Sequence, residues 1–422
     1  MIKIRNFINY LLYGFKNGQL HIVSLGIDLV ILGIAIYEFN SEFGEYLNTK
    51  PFWVIAALFL MNVVWQFISI AKDFKEYFFK EYSNENTEQN VDFQNYCSND
   101  EKVETISKGS FSYNEKVCEK LRNNDDFKCV IYKSASKKVD NYIKNIFPCL
   151  LPFISKHYND SQANRKLFTN DKKLCLYGQI TMKDDKVHLC KGSYYNTYLT
   201  NKIFLKSLIS NEASDIYPMH GYSNRKVKLP YEYFSNEIGV STVAITLDGY
   251  LFLQLQGTHA DASAGLVVPS GSGSADWKDY TRNRKITSNL EEIISYSTKR
   301  ELAEETGSQN RNPDKIVCKN KVIGFFRWLD LGGKPEFVSL SILNKNRDDI
   351  IPQNSEQQPL SMDYCFKIVT KENTIDDAEL EKCWKIMENS KCSLPLYVNL
   401  KMLKLYIENN KEDFERFCGI RE

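Results

Sequence analysis

From Phe52 to Ala71 twenty consecutive residues, FWVIAALFLMNVVWQFISIA, carry no Asp, Glu, Lys or Arg. As a helix rising 1.5 Å per residue, the run is roughly 30 Å long, the thickness of a bilayer's hydrocarbon core. A helix that is apolar all round has to be buried, in lipid or in a large core, so this run constrains the fold more than any other. A weaker stretch lies upstream, Asn17 to Tyr37, apolar from Ile22 on and carrying Asp28. It fits a signal peptide poorly: its apolar part starts late, no small-residue cleavage site follows, and a second run comes next. The sequence therefore predicts two transmembrane helices, 17–37 and 52–71, joined by an external loop over 38–51.

Orientation follows from the basic residues. Lys3, Arg5 and Lys16 lie in or just after the N-terminal segment 1–16, and Lys72, Lys75 and Lys80 follow the second span. The loop has only Lys50 beside Glu38, Glu42 and Glu45. Basic residues stay on the cytoplasmic side, which puts both termini and the rest of the chain there. The 11 cysteines lie singly, with no C-x-x-C pair, as suits a reducing compartment. With 54 basic against 53 acidic side chains, bulk electrostatic coating of nucleic acid is excluded as a function, and no nucleic-acid partner is expected. Asp28 and Asn62 would reach similar depth in the hairpin. A hydrogen bond within one hairpin, worth about 1 kcal/mol, or a polar contact between subunits would account for them equally well.

Past the membrane segment the sequence divides further. Residues 72–110 read as a polar linker, 111–220 as an accessory α/β region, and 351–422 as a C-terminal helical region expected to pack on a sheet or make a subunit contact. His157, His188 and His220 show no ligand spacing and read as structural. The stretch Gly192 to Asn201, GSYYNTYLTN, is either a ligand-contacting strand and turn or a buried tyrosine cluster.

The segment 221–350 carries the chemistry. Val240 to Leu255 reads as a β-hairpin around the turn Asp248-Gly249. Gly265 to Ser274, GLVVPSGSGS, reads as a strand entering a Ser/Gly loop. A helix follows, with Ser288 and Glu291 as a capping box, Leu290, Ile293 and Ile294 as its apolar face, and Gly307 as its stop. It ends in Arg300-Glu301-Leu302-Ala303-Glu304-Glu305. Glu301, Glu304 and Glu305 share one face and repel unless a cation sits among them. Hard carboxylate oxygens suit Mg²⁺, although a solvated acidic face paired with Lys299 and Arg300 has the same spacing. Further on, GFFRWLDLGGKPEFVSLSIL (Gly324 to Leu343) reads as a hairpin in which Arg327 and Lys334 could hold phosphate charge.

Glu292 followed after seven residues by R-E-L-A-E-E-T-G resembles the core of the Nudix box, G-x5-E-x7-R-E-U-x-E-E-x-G-U, over about a quarter of the chain. The chain departs from that pattern at Ile286, at Ser308, and in a longer link from Pro269 that carries Arg282, Arg284 and Lys285. The resemblance implies an α/β/α sandwich on a mixed sheet, Mg²⁺ held by Glu301, Glu304 and Glu305, and Arg300 pairing with a nearby carboxylate. Together with the two N-terminal spans, and with YYNTYLTN and HGYSNRKVKLPYEYF, the chain resembles the SMODS-associated Nudix effectors of bacterial CBASS antiphage systems. That resemblance implies a membrane-anchored α+β chain, two transmembrane helices followed by a cytoplasmic Nudix-like domain with extra elements at either end. It implies residence in the inner membrane and sensing of a cyclic nucleotide from a CD-NTase, with phosphates near Arg327, Lys334, Arg282 and Arg284. Assembly into a homo-oligomer that disrupts the lipid bilayer and kills the cell would follow. The alternative is a membrane-tethered Mg²⁺-dependent Nudix hydrolase of a nucleoside diphosphate derivative.

Overall fold

The computed structural model describes residues 2–17, 57, 60–66, 68–69, 72, 82–87, 91–123, 127–164, 166–182, 185–210, 215–216, 228–257, 265–283, 289–307, 312–351 and 360–420. The chain divides into two compact units. The first comprises 1–86, 143–169 and 207–217; the second comprises 87–142, 170–206 and 218–422.

In the first unit the helix α1, Ile2–Asn17, buries its more polar side. Asn6, Tyr10, Tyr13 and Asn17 are buried, whereas Ile2, Ile4, Ile8 and Leu12 are exposed. Tyr10 stacks on Tyr158 and shares a 2.5 Å hydrogen bond with Ser155, while Asn6 donates to the Lys166 carbonyl. The strands β1, Tyr82–Thr87, β7, Lys206–Ser210, and β8, Asp215–Ile216, form a three-stranded sheet in the order β1-β7-β8.

The expected membrane-anchored fold is corrected at this point. Among the described residues no helix is long and apolar enough to cross a membrane. The first expected span lies outside the described residues apart from Asn17, and so do Asp28 and the 38–51 loop. Within the second span the longest described helical stretch is 60–66. Asn62 is exposed there, beside exposed Leu60, Met61, Val64 and Trp65, and Gln66 is buried.

The second unit is built on an eight-stranded mixed sheet. Its strands are β2, Lys102–Ile106, β3, Gly109–Tyr113, β9, Gly239–Ile245, β10, Tyr250–Phe252, β13, Gly271–Ser274, β14, Val317–Trp328, β15, Lys334–Leu343, and β16, Cys365–Lys367. The order is β16-β10-β9-β15-β14-β3-β2, with β13 also on β9. Only β9 and β15 run parallel; Val240 lies opposite Phe337, and Val243 opposite Leu340. All seven residues of β9 are buried, as a central strand covered on both faces must be. A separate pair, β11, Gln254–Leu255, with β12, Val267–Val268, and a three-stranded sheet complete the strands. That second sheet has the order β4-β6-β5, from β4, Lys128–Ile131, β5, Lys172–Tyr177, and β6, Lys186–Ser193.

Side-chain alternation along β9 sends the two faces to different helices. Val243 and Ile245 pack in the cluster that holds Leu396, Leu400 and Leu403 of α7, Leu394–Asn409. Asn399 of the same helix donates to Ser241 Oγ at 2.8 Å. On the other face Val240 meets Leu290, Ile293 and Ile294, and Ala244 meets Leu302 and Ala303, all from α5, Leu290–Glu305. Longer helices among the described residues also include α2, Glu115–Arg122, α3, Lys133–Ala163, α4, Trp277–Asn283, α6, Asp377–Lys385, and α8, Lys411–Phe417. Residues 133–142 of α3 belong to the second unit and 143–163 to the first.

The expected hairpin turns at Asp248-Gly249 and Gly332-Gly333 form, and all three glycines have positive φ, which L-residues rarely adopt. The Ser/Gly segment differs from its expectation. Gly271 to Ser274 is a strand on β9, not a loop. Its glycines let a helix lie against it: a Cβ on Gly271 would sit 2.9 Å from Leu302 Cα. Gly271→Ala should therefore cost about 1–3 kcal/mol, as overpacking does. Urea unfolding would show this as a lowered midpoint with an unchanged slope; an unchanged midpoint would contradict the helix–strand spacing.

Candidate active site at the acidic end of helix α5

Helix α5 is fixed at both ends. Its N-cap is Asn289, one residue past the expected Ser288, and the Asn289 side chain accepts from the Glu291 N–H at 2.7 Å. Leu290 N–H donates to the Phe127 carbonyl at 2.9 Å. The helix stops at Glu305, with Gly307 at φ 81° just beyond. This geometry lays the R-E-L-A-E-E end across β13.

Two of the three carboxylates rest on that strand. Glu301 Oε1 accepts from Ser274 N–H at 3.2 Å, and Glu305 Oε2 accepts from Ser272 N–H at 2.9 Å. Gly273, between them, leaves the room: a Cβ there would stand 2.2 Å from the Glu301 carboxyl carbon. Glu304 is the open one, its side chain 47% exposed.

Arg300 lies among these acids. Its Nε and Nη2 donate to the two oxygens of Asp279 at 3.0 and 2.9 Å, a bidentate pair, and Nη2 also donates to the Ser274 carbonyl at 3.0 Å. Nη1 stands 3.0 Å from Glu301 Oε1 and 3.6 Å from Glu304 Oε1. Lys173 of β5 extends the network, bonding Ser274 Oγ and Asp276 Oδ1 at 2.8 Å each. The sequence reading missed Lys173, Asp276 and Asp279. Asp276 and Asp279 at the start of α4 offered only an ordinary i,i+3 acidic pair, and no spacing links Lys173 to a motif so far downstream.

Burial pushes the Glu301 carboxyl up to about 7; Arg300 pulls it down and Glu304 pushes it further up. Asp276 moves the other way, its carboxyl lowered by Lys173 and Arg300 against the cost of burial. One acid of the group thus titrates near neutrality beside another that stays ionised, the separation that acid–base chemistry uses.

Arg327 and Lys334 occupy the interior. Arg327 is 1% exposed and donates to the Gly333 carbonyl at 3.1 Å and the Gly178 carbonyl at 2.8 Å, with Glu101 3.8 Å away. Burial lowers its pKa to about 10. Lys334 is buried and ion-paired to Glu336. Neither side chain joins the acidic end of α5. Arg282 is exposed on α4, its guanidinium 5.0 Å from the centre of the Tyr296 ring. Arg284 lies outside the described residues. The stretch 192–201 is largely interior: Tyr195 is fully buried, and the Asn201 amide donates to Asn236 Oδ1 at 3.0 Å and the Leu331 carbonyl at 3.2 Å.

Among the described residues no three His, Cys, Asp or Glu side chains form a group that could hold a metal ion. Glu301 and Glu305 each give an oxygen to backbone N–H, and the Arg300 cation lies where a metal's charge would act. In this arrangement the residues do not fit a three-carboxylate Mg²⁺ centre. No known protein-family model matches this chain, and no curated protein does either.

The Glu301 shift has a signed consequence. Between its ordinary 4.5 and about 7 the folded chain keeps a proton that the unfolded chain has released. That contribution to stability is complete below the lower value and is lost as pH rises through the upper one. Glu301→Gln cannot ionise. It should resist urea better than wild type at about pH 8, by on the order of 3 kcal/mol, and equally at about pH 4. Equal midpoints at the higher pH would contradict the buried setting.

Proposed function

We propose that this chain is a nucleotide-sensing effector with a Nudix-like second unit, responding to a cyclic nucleotide at the acidic end of α5. The observation that carries this reading is the seating of the R-E-L-A-E-E end on the backbone of β13, with Glu301 and Glu305 held by Ser274 and Ser272 N–H. A site in which two of three carboxylates are already bonded to backbone is suited to recognition more than to turnover. Phosphate charge would meet the outward cations of α4, Lys278, whose side chain is 69% exposed and stands 3.0 Å from Asp276 Oδ2, and Arg282. Arg327 and Lys334 are engaged inside the fold and take no part in the reading. A ligand changes the protein only by binding one state more tightly than another, so sensing requires a second arrangement of the unit.

Glu301, with its carboxyl near neutrality, favours a second reading, hydrolysis of a nucleoside diphosphate derivative with that residue moving a proton. One experiment separates the two. The full chain is incubated with Mg²⁺ and a panel of cyclic di- and trinucleotides and nucleoside diphosphate derivatives. Binding is measured by calorimetry, and the recovered nucleotide is analysed by chromatography. The sensor reading expects a cyclic nucleotide bound and returned intact, with binding weakened several-fold by Lys278→Ala. Consumption of nucleotide that stops in Glu301→Gln would replace it with the hydrolase, and absence of binding across the panel would overturn it.

A further inference from the structure

The three-stranded sheet β4-β6-β5 has two unlike faces. One is core: Cys129, Leu174, Leu176, Val187 and Leu189 pack inward. On the other, Val130, His188 and Tyr177 lie in one row, Val130 paired with His188 across the parallel ladder and His188 with Tyr177 across the antiparallel one. Farther along the same face Cys190 and Cys175 pack under Ala135 of α3. Tyr177 packs in part against that cluster, with the Lys138 ammonium 5.6 Å from its ring centre, whereas Val130 and His188 are not part of it. Tyr132, just past β4, leans over the row with its ring 4.9 Å from Tyr177 and 6.1 Å from His188, and Val130 and Tyr132 are each 38% exposed.

A solvent-facing side of a sheet normally alternates to polar residues. Here two tyrosines, a histidine and a valine stand in its place, and polar groups border them. Lys138 donates to the Tyr177 hydroxyl at 3.1 Å and to Glu232 at 3.5 Å. Two residues back along the strands, on the same face, Lys128 pairs in register with Lys186, and both are exposed. That row lies about 6–7 Å from the aromatic one.

We propose that this face is a nucleobase-stacking platform for a nucleoside phosphate. The base lies on the outer face of the Tyr132 ring, which is itself backed by Tyr177, the phosphate points to the Lys128–Lys186 row, and the Glu232 carboxylate accepts from an exocyclic amine of the base. Rings presented on a sheet stack bases whatever their identity, because every base has a π-face, and lysines beside them meet the phosphate as point charges. The inference goes beyond the proposed function: Lys128 is bridged to Asn289 at the start of α5, so the platform lies at the other end of that helix from Glu301–Glu305 and is a second nucleotide site.

The test is calorimetric titration of the full chain with cyclic diguanylate, cyclic diadenylate and cyclic triadenylate. Wild type, Tyr132→Ala, Tyr132→Phe, Glu232→Gln and Lys278→Ala are compared. Tyr132 is at the surface, so its variants leave the core intact. The platform predicts that Tyr132→Ala weakens binding roughly five- to a hundredfold, the range of one base stack, and that Tyr132→Phe retains it. Glu232→Gln should weaken whichever of the three binds, since guanine and adenine both carry an exocyclic amine. Wild-type binding that Tyr132→Ala leaves unchanged overturns the platform while the sensor reading stands. Failure of all three nucleotides to bind wild type overturns both.

Discussion

The second unit depends on one buried ion pair. Arg300 reaches across from α5 to α4 and meets both oxygens of Asp279, which also accepts from Ser297 Oγ at 3.0 Å and from Asp276 N–H at 2.9 Å. A pair this deep is costly to desolvate and is kept only where every remaining lone pair and proton finds a partner. Here they do, and the consequence is positional. With the guanidinium fixed, Glu301 and Glu304 lie along its outer edge and Glu301 accepts from Ser274 N–H, which seats the acidic end of the helix on β13. The glycines of that strand complete the fit, since side chains there would hold the helix away.

The same physics divides the basic residues into two populations. Arg327 and Lys334 neutralise or cap groups inside the fold: carbonyls of Gly333 and Gly178 for the first, Glu336 for the second. Lys278, Arg282, Lys128 and Lys186 remain at the surface, where a phosphate can reach them. The exposed cations thus lie on α4 and on the small sheet, while those of the β14–β15 hairpin are engaged in the interior. Both surfaces adjoin α5: α4 lies against its acidic end, and Lys128 is bridged to its cap residue Asn289.

The parts of this structure legible in the sequence are those set by local rules. The Asp248-Gly249 and Gly332-Gly333 turns need positive φ, the α5 stop needs Gly307, and the spacing of Glu301, Glu304 and Glu305 follows from helical periodicity. What was not legible is set by partners far away in the chain. Ser and Gly at 271–274 read as a loop until β9 pairs with them and Leu302 explains their lack of side chains. Arg327 and Lys334 look like ligand-facing cations because a charged residue's identity says nothing of a carbonyl or carboxylate waiting in the interior. Of the two apolar runs, the first lies outside the described residues apart from Asn17 and the second is described only in part; among the described residues no helix is long and apolar enough to cross a membrane.

The claim that most of this rests on is that Arg300 and Asp279 act as one unit in seating the acidic end of α5. A double-mutant cycle in urea, with Arg300→Met, Asp279→Asn and the pair together, tests it directly. Each single change leaves a buried charge without its partner and should cost about 3–5 kcal/mol. The double variant removes both charges and should cost less than the sum of the singles by at least about 1 kcal/mol. Costs that simply add would mean the two side chains stabilise the unit independently, and the account of how the site is held would be wrong.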